Sequence, residues 1–93
     1  YKIDTKTLFN NISYCSGDSF ALKNHGLKSI ALDNFPNPAF SVKYAQKDLS
    51  YALEMANQMG LSTPGSTMIN NLFSKAIDEG YGDLYFPVIK KIL

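Results

Sequence analysis

The stretch VKYAQKDLSYALEMANQMG, residues 42–60, decides the fold. Within it Val42, Ala45, Leu49, Ala52, Ala56 and Met59 recur at alternating spacings of three and four, which makes an apolar seam along one side of a helix. Gly60 ends the helix, because glycine tolerates the left-handed conformation in which helices commonly close. At the other end Pro38 suits a first helical turn with Asn37 as its cap, or else Ser41 is the cap. With roughly 100° of rotation per residue, Phe40, Tyr44, Lys47 and Tyr51 fall on the side opposite the seam, and Asp48 lies at the flank. A face that meets only solvent would more usually carry Glu, Lys and Gln. Either this helix is central and its aromatics are core, or the stripe faces another domain, a subunit or a ligand cleft.

Outward from that helix the pattern stays helical. Upstream, Asp4 or Thr5 caps a first helix with Leu8, Phe9, Ile12 and Cys15 on one face, and Gly17 is its expected stop. Asp18 or Ser19 caps a short helix, Phe20 to Asn24, expected to end at His25-Gly26. Leu27, Ile30, Ala31 and Leu32 add another turn or two, and residues 33–38, with two prolines and two asparagines, read as a loop. Downstream, Thr63 and Pro64 supply a cap and a first-turn proline. Met68 with Ile69, Leu72 with Phe73, and Ala76 with Ile77 form the apolar side of that helix, and Gly80 and Gly82 stop it. Asp83 is the expected cap of a last helix through Ile92, in which Pro87 is tolerable because the first turn has no partner for its missing donor. No period-two strand and no internal repeat occur. The fold class is therefore all-α, a small antiparallel helical bundle with short loops, and the chain reads as a single domain over residues 1–93.

Composition narrows the function. Nine basic and eight acidic side chains leave a formal charge of +1, too balanced for a surface that tracks phosphates, so nucleic acid is an unexpected partner. One cysteine and one histidine cannot close a four-ligand zinc site, and one cysteine makes no internal disulfide. No apolar run approaches a membrane span and no signal peptide is evident, so a cytoplasmic setting with no membrane partner is expected. Cys15 reads as core packing rather than a reactive thiol. His25 reads as a solvent-facing helix end, where a cation would suit the dipole. Lys47 next to Asp48 can be a solvated pair. No nucleophile elbow and no phosphate-cradling glycine loop occur. Charged residues make up 18% of the chain, against about a quarter in ordinary domains, while aromatics reach 13%; the surface is expected to be sticky. The first residue is Tyr1, whereas ribosomal products begin with Met, so this start is expected to come from a chosen boundary, proteolysis or processing.

The run from Phe40 to Leu53, a phenylalanine followed seven residues on by Lys47-Asp48-Leu49 and a continuing amphipathic helix, resembles a signature of the β-hydroxyacid dehydrogenase family. That family includes 3-hydroxyisobutyrate dehydrogenase and tartronate semialdehyde reductase. The resemblance covers nearly the whole chain. Ser16-Gly17-Asp18-Ser19 resembles the family's glycine and serine turn, Gly60 to Pro64 its helix break, Ala76 to Gly82 its Ala-x-x-x-Gly-x-Gly ending, and Val88 to Leu93 its last helix. No one piece is highly specific; their order and spacing are.

The resemblance implies a helical C-terminal domain like that of 6-phosphogluconate dehydrogenase, belonging to an NAD(P)-dependent oxidoreductase that acts on a small 3-hydroxy acid. It implies an N-terminal Rossmann domain that binds NAD or NADP, and a long helix crossing into the helical domain. The catalytic lysine lies on that crossing helix, so no catalytic residue falls in this chain, and the chain alone is expected to be inactive. Carried over position by position, Lys47 matches the lysine that reaches the cofactor near its nicotinamide end. Asp48 matches the adjacent acid, and Phe40 an aromatic near the substrate side of the cleft. A homodimer or homotetramer is expected. Tyr85 stands where the family often has Asp, and Pro87 where it has a small residue, so the last helix is expected to pack or assemble differently. Two alternatives remain: a non-catalytic oligomerisation module on the same fold, and an independent helical adaptor.

Overall fold

A computed structural model describes residues 2–93. The chain forms two compact units, one up to Phe35 and the other over Pro36–Leu93. The described residues form helices with no β-strand; one isolated antiparallel bridge joins Ser41 and Tyr85.

The first unit is a helical hairpin of α1 (Thr5–Ser13) and α2 (Leu22–Ile30). Asp4 is the N-cap of α1: its carboxylate accepts the Thr7 backbone N–H at 2.8 Å. That hydrogen bond holds the Asp4 carboxyl below its ordinary value of 3.8. A depressed carboxyl stabilises the fold above its unfolded value and loses that effect as pH falls through the lower, folded one. We therefore expect the first turn of α1 to fray as the solution is acidified below the ordinary aspartate range. Backbone carbon shifts of residues 5–8 would report it, and unchanged shifts down to about pH 2 would contradict it.

Several sequence expectations in this unit are corrected. Helix α1 ends at Ser13, four residues before Gly17, so Cys15 leaves the apolar face and lies exposed, its thiol 3.3 Å from the Asn11 carbonyl. Ser19 supplies the cap upstream of α2, accepting the Leu22 N–H at 3.0 Å. Helix α2 does not stop at His25-Gly26 but runs on to Ile30 with wide, π-type hydrogen bonding, as in Ala31 N–H to the Gly26 carbonyl at 2.8 Å. Gly26 serves close approach instead of termination: a Cβ there would sit 3.0 Å from the Phe9 ring. His25 is thus half-buried within the helix, its ring edge-on to Phe20 with centroids 6.0 Å apart.

The second unit holds α3 (Val42–Gln58), α4 (Pro64–Asp78) and the 3-10 turn helix α5 (Phe86–Lys91). Helices α3 and α4 run antiparallel across a short break. Gln46, early in α3, donates from Nε2 to Ser74 Oγ at 2.7 Å, late in α4. The core lies where the start of α3, the end of α4 and α5 meet: Val42, Ala76 and Val88 are fully buried and Phe73 is 6% exposed. Both long helices close as the glycines predict. Gly60 (φ +68°) and Gly80 (φ +90°) take the left-handed conformation. Leu61 N–H then reaches the Ala56 carbonyl, and Tyr81 N–H the Ala76 carbonyl, each at 2.9 Å.

The start of α3 depends on distant chain. Ser41, not Asn37, is its cap, with Oγ accepting the Tyr44 N–H at 3.2 Å; Pro38 lies before the helix, after a cis peptide bond. The carbonyls of Leu84 and Gly82 accept the N–H groups of Val42 (3.0 Å) and Lys43 (3.1 Å). The first-turn amides, which a helix cannot satisfy itself, are therefore met by the turn that follows α4. Asp83 does not cap α5; its carboxylate pairs with Lys43 Nζ at 2.9 Å, and Tyr85 precedes the last helix without a side-chain cap. Pro87 does lie in the first turn, as expected. In the seam of α3, Leu53 is half-buried in place of Ala52, and Met59 is 73% exposed. Met68 likewise points out from α4, at 58%.

Candidate functional site

Phe40, entering α3, and Lys47 lie on its outward side, and Asp48 lies at the flank. Val42 is fully buried and Ser41 nearly so, which fixes how the chain enters the helix. Phe40, immediately before the cap, is held by its own carbonyl, which accepts the Phe86 N–H at 3.0 Å. Its ring stays 47% exposed. Two turns on, Lys47 and Asp48 are also exposed, with Lys47 Nζ 3.7 Å from Asp48 Oδ1. Neither Phe40 nor Lys47 is enclosed by the helices of this unit. The stripe continues along α3 through Tyr44 and Tyr51, each 59% exposed, and Met55 at 64%.

The geometry adds residues that the pattern alone does not assemble. Phe86, from the start of α5, packs edge-on against Phe40 with ring centroids 6.0 Å apart, and Tyr85 packs edge-on against Phe86 at 5.3 Å. Phe40 in turn stacks on Tyr44 at 6.4 Å with 20° between the planes, and Lys47 Nζ sits over the Tyr44 ring, 5.4 Å from its centroid. Tyr44 was visible as a member of the stripe. Phe86 carries no sequence signal for this place, since backbone pairing of residues 85 and 86 with the stretch before α3 brings it there.

The result is an aromatic shelf with one cation at its edge. The carboxylate and the Tyr44 ring both restrain the ammonium, but weakly: an exposed ion pair is worth about 0–1 kcal/mol and an exposed cation–π contact about 0.5–1 kcal/mol. Neither contact cancels the charge, and a lysine ammonium has three donors. The arrangement can therefore offer a hydrogen-bonding cation beside an apolar floor, which suits a ligand that combines polar or anionic oxygens with a flat ring. Among the described residues there is no group of three or more His, Cys, Asp or Glu able to hold a metal ion, and no helix long and apolar enough to cross a membrane.

Comparison with known proteins agrees with the fold. The chain superposes on the crystal structure of 3-hydroxyisobutyrate dehydrogenase from Salmonella typhimurium with a TM-score of 0.89 and 20% identity, over 99% of this chain and 32% of that one. It is 38% identical over 52 residues to glyoxylate/succinic semialdehyde reductase 1 of Arabidopsis thaliana, a match covering 56% of this chain and 18% of the reductase. The chain thus spans about a third of the one protein and matches under a fifth of the other. The helical architecture is that of the C-terminal domain of 3-hydroxyisobutyrate dehydrogenase-like proteins. Residues 1–91 match the family model described as NAD-binding of NADP-dependent 3-hydroxyisobutyrate dehydrogenase, and the chain belongs to that family of NAD(P)-dependent dehydrogenases.

Proposed function

We propose that residues 1–93 are the helical C-terminal domain of an NAD(P)-dependent oxidoreductase, and that the outward face of α3 forms one wall of its cleft. The reaction is hydride transfer between the nicotinamide and a small 3-hydroxy acid or the corresponding aldehyde. The observation that carries this reading is that Phe40, entering α3, and Lys47 are exposed on the side turned away from the buried seam, with Asp48 exposed at its flank. In this arrangement Lys47 donates to a polar group of NAD or NADP near its nicotinamide end. Asp48, beside it, restrains the ammonium, and Phe40 borders the substrate. A Rossmann domain of the same protein holds most of the dinucleotide, and a lysine outside this chain handles the proton at the reacting oxygen. The exposed apolar side chains, among them Tyr51 and Met55, favour assembly as a homodimer or homotetramer. The cytoplasmic setting belongs to the same proposal, and the exposed free thiol of Cys15 favours a reducing compartment.

The test is consumption of NADPH or NADH by the full-length protein with small aldehydes, glyoxylate and succinic semialdehyde first among them. We expect turnover by the full-length protein and none by the 93-residue chain. A full-length protein that binds neither dinucleotide and reduces no aldehyde would instead support the non-catalytic module. Turnover by the isolated chain would contradict the placement of catalysis elsewhere.

A further inference from the structure

We infer that Tyr44 is a positioning residue for Lys47, and that the ring series Tyr85, Phe86, Phe40, Tyr44 ties the ammonium to the buried core of the second unit. The inference rests on the reading of Lys47 as the cofactor-facing lysine and adds what holds it in place. A lysine stem has four rotatable bonds, and an exposed one samples many rotamers. Each rotamer excluded before the ligand arrives is conformational freedom that binding does not have to remove.

The ring contacts form one continuous series. Phe86 is fixed by the backbone hydrogen bond from its N–H to the Phe40 carbonyl, and it sits next to Pro87 and Val88, both buried. Its ring meets Phe40 edge-on at 6.0 Å. Phe40 stacks against Tyr44 at 6.4 Å, one helical turn away. The Tyr44 ring then presents its face to Lys47 Nζ at 5.4 Å, while Asp48 attracts the same ammonium from the other neighbour, at 3.7 Å. Two weak, differently directed attractions confine the nitrogen to the edge of the shelf without enclosing it. The phenol hydroxyl plays no part in this; the ring face does. That separates the role from one in which the tyrosine hydroxyl bonds the ligand.

The experiment titrates NADPH and NADH into the full-length protein by calorimetry, for the parent, Tyr44→Leu, Tyr44→Phe, Lys47→Met and the double variant Tyr44→Leu/Lys47→Met. Tyr44→Leu is expected to weaken binding of the preferred dinucleotide roughly two- to fivefold, Tyr44→Phe to restore it, and Tyr44→Leu to add nothing once Lys47 is gone. A second readout needs no cofactor. The ε-methylene protons of Lys47 should lie upfield through the ring current of residue 44, keep that shift in Tyr44→Phe and lose it in Tyr44→Leu. Parent affinity in Tyr44→Leu overturns the inference. So does an equal loss with and without Lys47, which would make Tyr44 a direct ligand contact. If Lys47→Met itself binds both dinucleotides as the parent does, the reading of Lys47 fails, and the ring-current shift shows separately whether Tyr44 holds it.

Discussion

Replacing Lys47 by methionine in the full-length protein is expected to weaken its preferred nicotinamide dinucleotide by roughly 10- to 100-fold while leaving the fold intact. On the proposed role of Lys47 as donor to the dinucleotide, the magnitude follows from the loss of a charge-assisted hydrogen bond, about 1.5–3 kcal/mol. The fold survives because the partners of Lys47 are both exposed: its ion pair with Asp48 and its contact with the Tyr44 ring contribute little to stability. Methionine keeps an unbranched, apolar stem of similar length, so the effect reports the charge and not the packing. Fluorescence or calorimetric titration measures it. Equal affinity of the variant and parent for both NADPH and NADH would show that Lys47 faces something other than the cofactor.

Phe73→Ala should act on stability alone, and strongly. Phe73 is 6% exposed, beside fully buried Ala76 on the same face of α4. Truncating a buried phenylalanine costs about 3–5 kcal/mol, from lost burial and the cavity left behind. Small domains are only about 5–15 kcal/mol stable, so the second unit would lose much of its margin. A urea titration of the 93-residue chain followed by its helical signal should show a clearly lower midpoint. A midpoint close to the parent's would mean that the core is not where Val42, Phe73, Ala76 and Val88 place it.

The parts of this fold that could be read from the residues are those determined by neighbours in sequence. Helix α3 was legible because its apolar positions repeat with the helical period, and the left-handed stops at Gly60 and Gly80 because each follows an uninterrupted periodic run. What failed depends on distant chain. The residues offer both Asn37 and Ser41 as caps of α3, and the choice of Ser41 goes with carbonyls of Gly82 and Leu84 that reach back to the first amides. Asp83 has the composition of a cap, yet its carboxylate is used by Lys43, forty residues away. Gly26 looks like a stop, but the same lack of a Cβ lets α2 approach Phe9, and only the packed hairpin distinguishes the two uses. Cys15 continues the apolar spacing of α1, but that helix ends before reaching it.

The candidate site divides in the same way. Phe40, Lys47 and Asp48 lie within one helix and the residues entering it, so a wheel of roughly 100° per residue puts Phe40 and Lys47 on the side away from the seam and Asp48 at its flank. Phe86 reaches Phe40 from forty-six positions along the chain, through pairing of residues 85 and 86 with the segment before α3, and nothing local announces that. The aromatic support beneath the lysine therefore emerges only once the turn after α4 is docked on the start of α3. Gly82 lies in that turn, where a Cβ would come within 2.8 Å of the Lys43 side chain and 3.3 Å of Ile77.

The most direct measurement is a crystal structure of the full-length protein with NADP or NAD bound. We expect the Lys47 ammonium within hydrogen-bonding distance, about 3 Å, of a polar atom near the nicotinamide end of the dinucleotide, with Phe40 at the border of the same cavity. A dinucleotide bound elsewhere, with Lys47 and Phe40 turned to bulk solvent or covered by another subunit, would contradict the account.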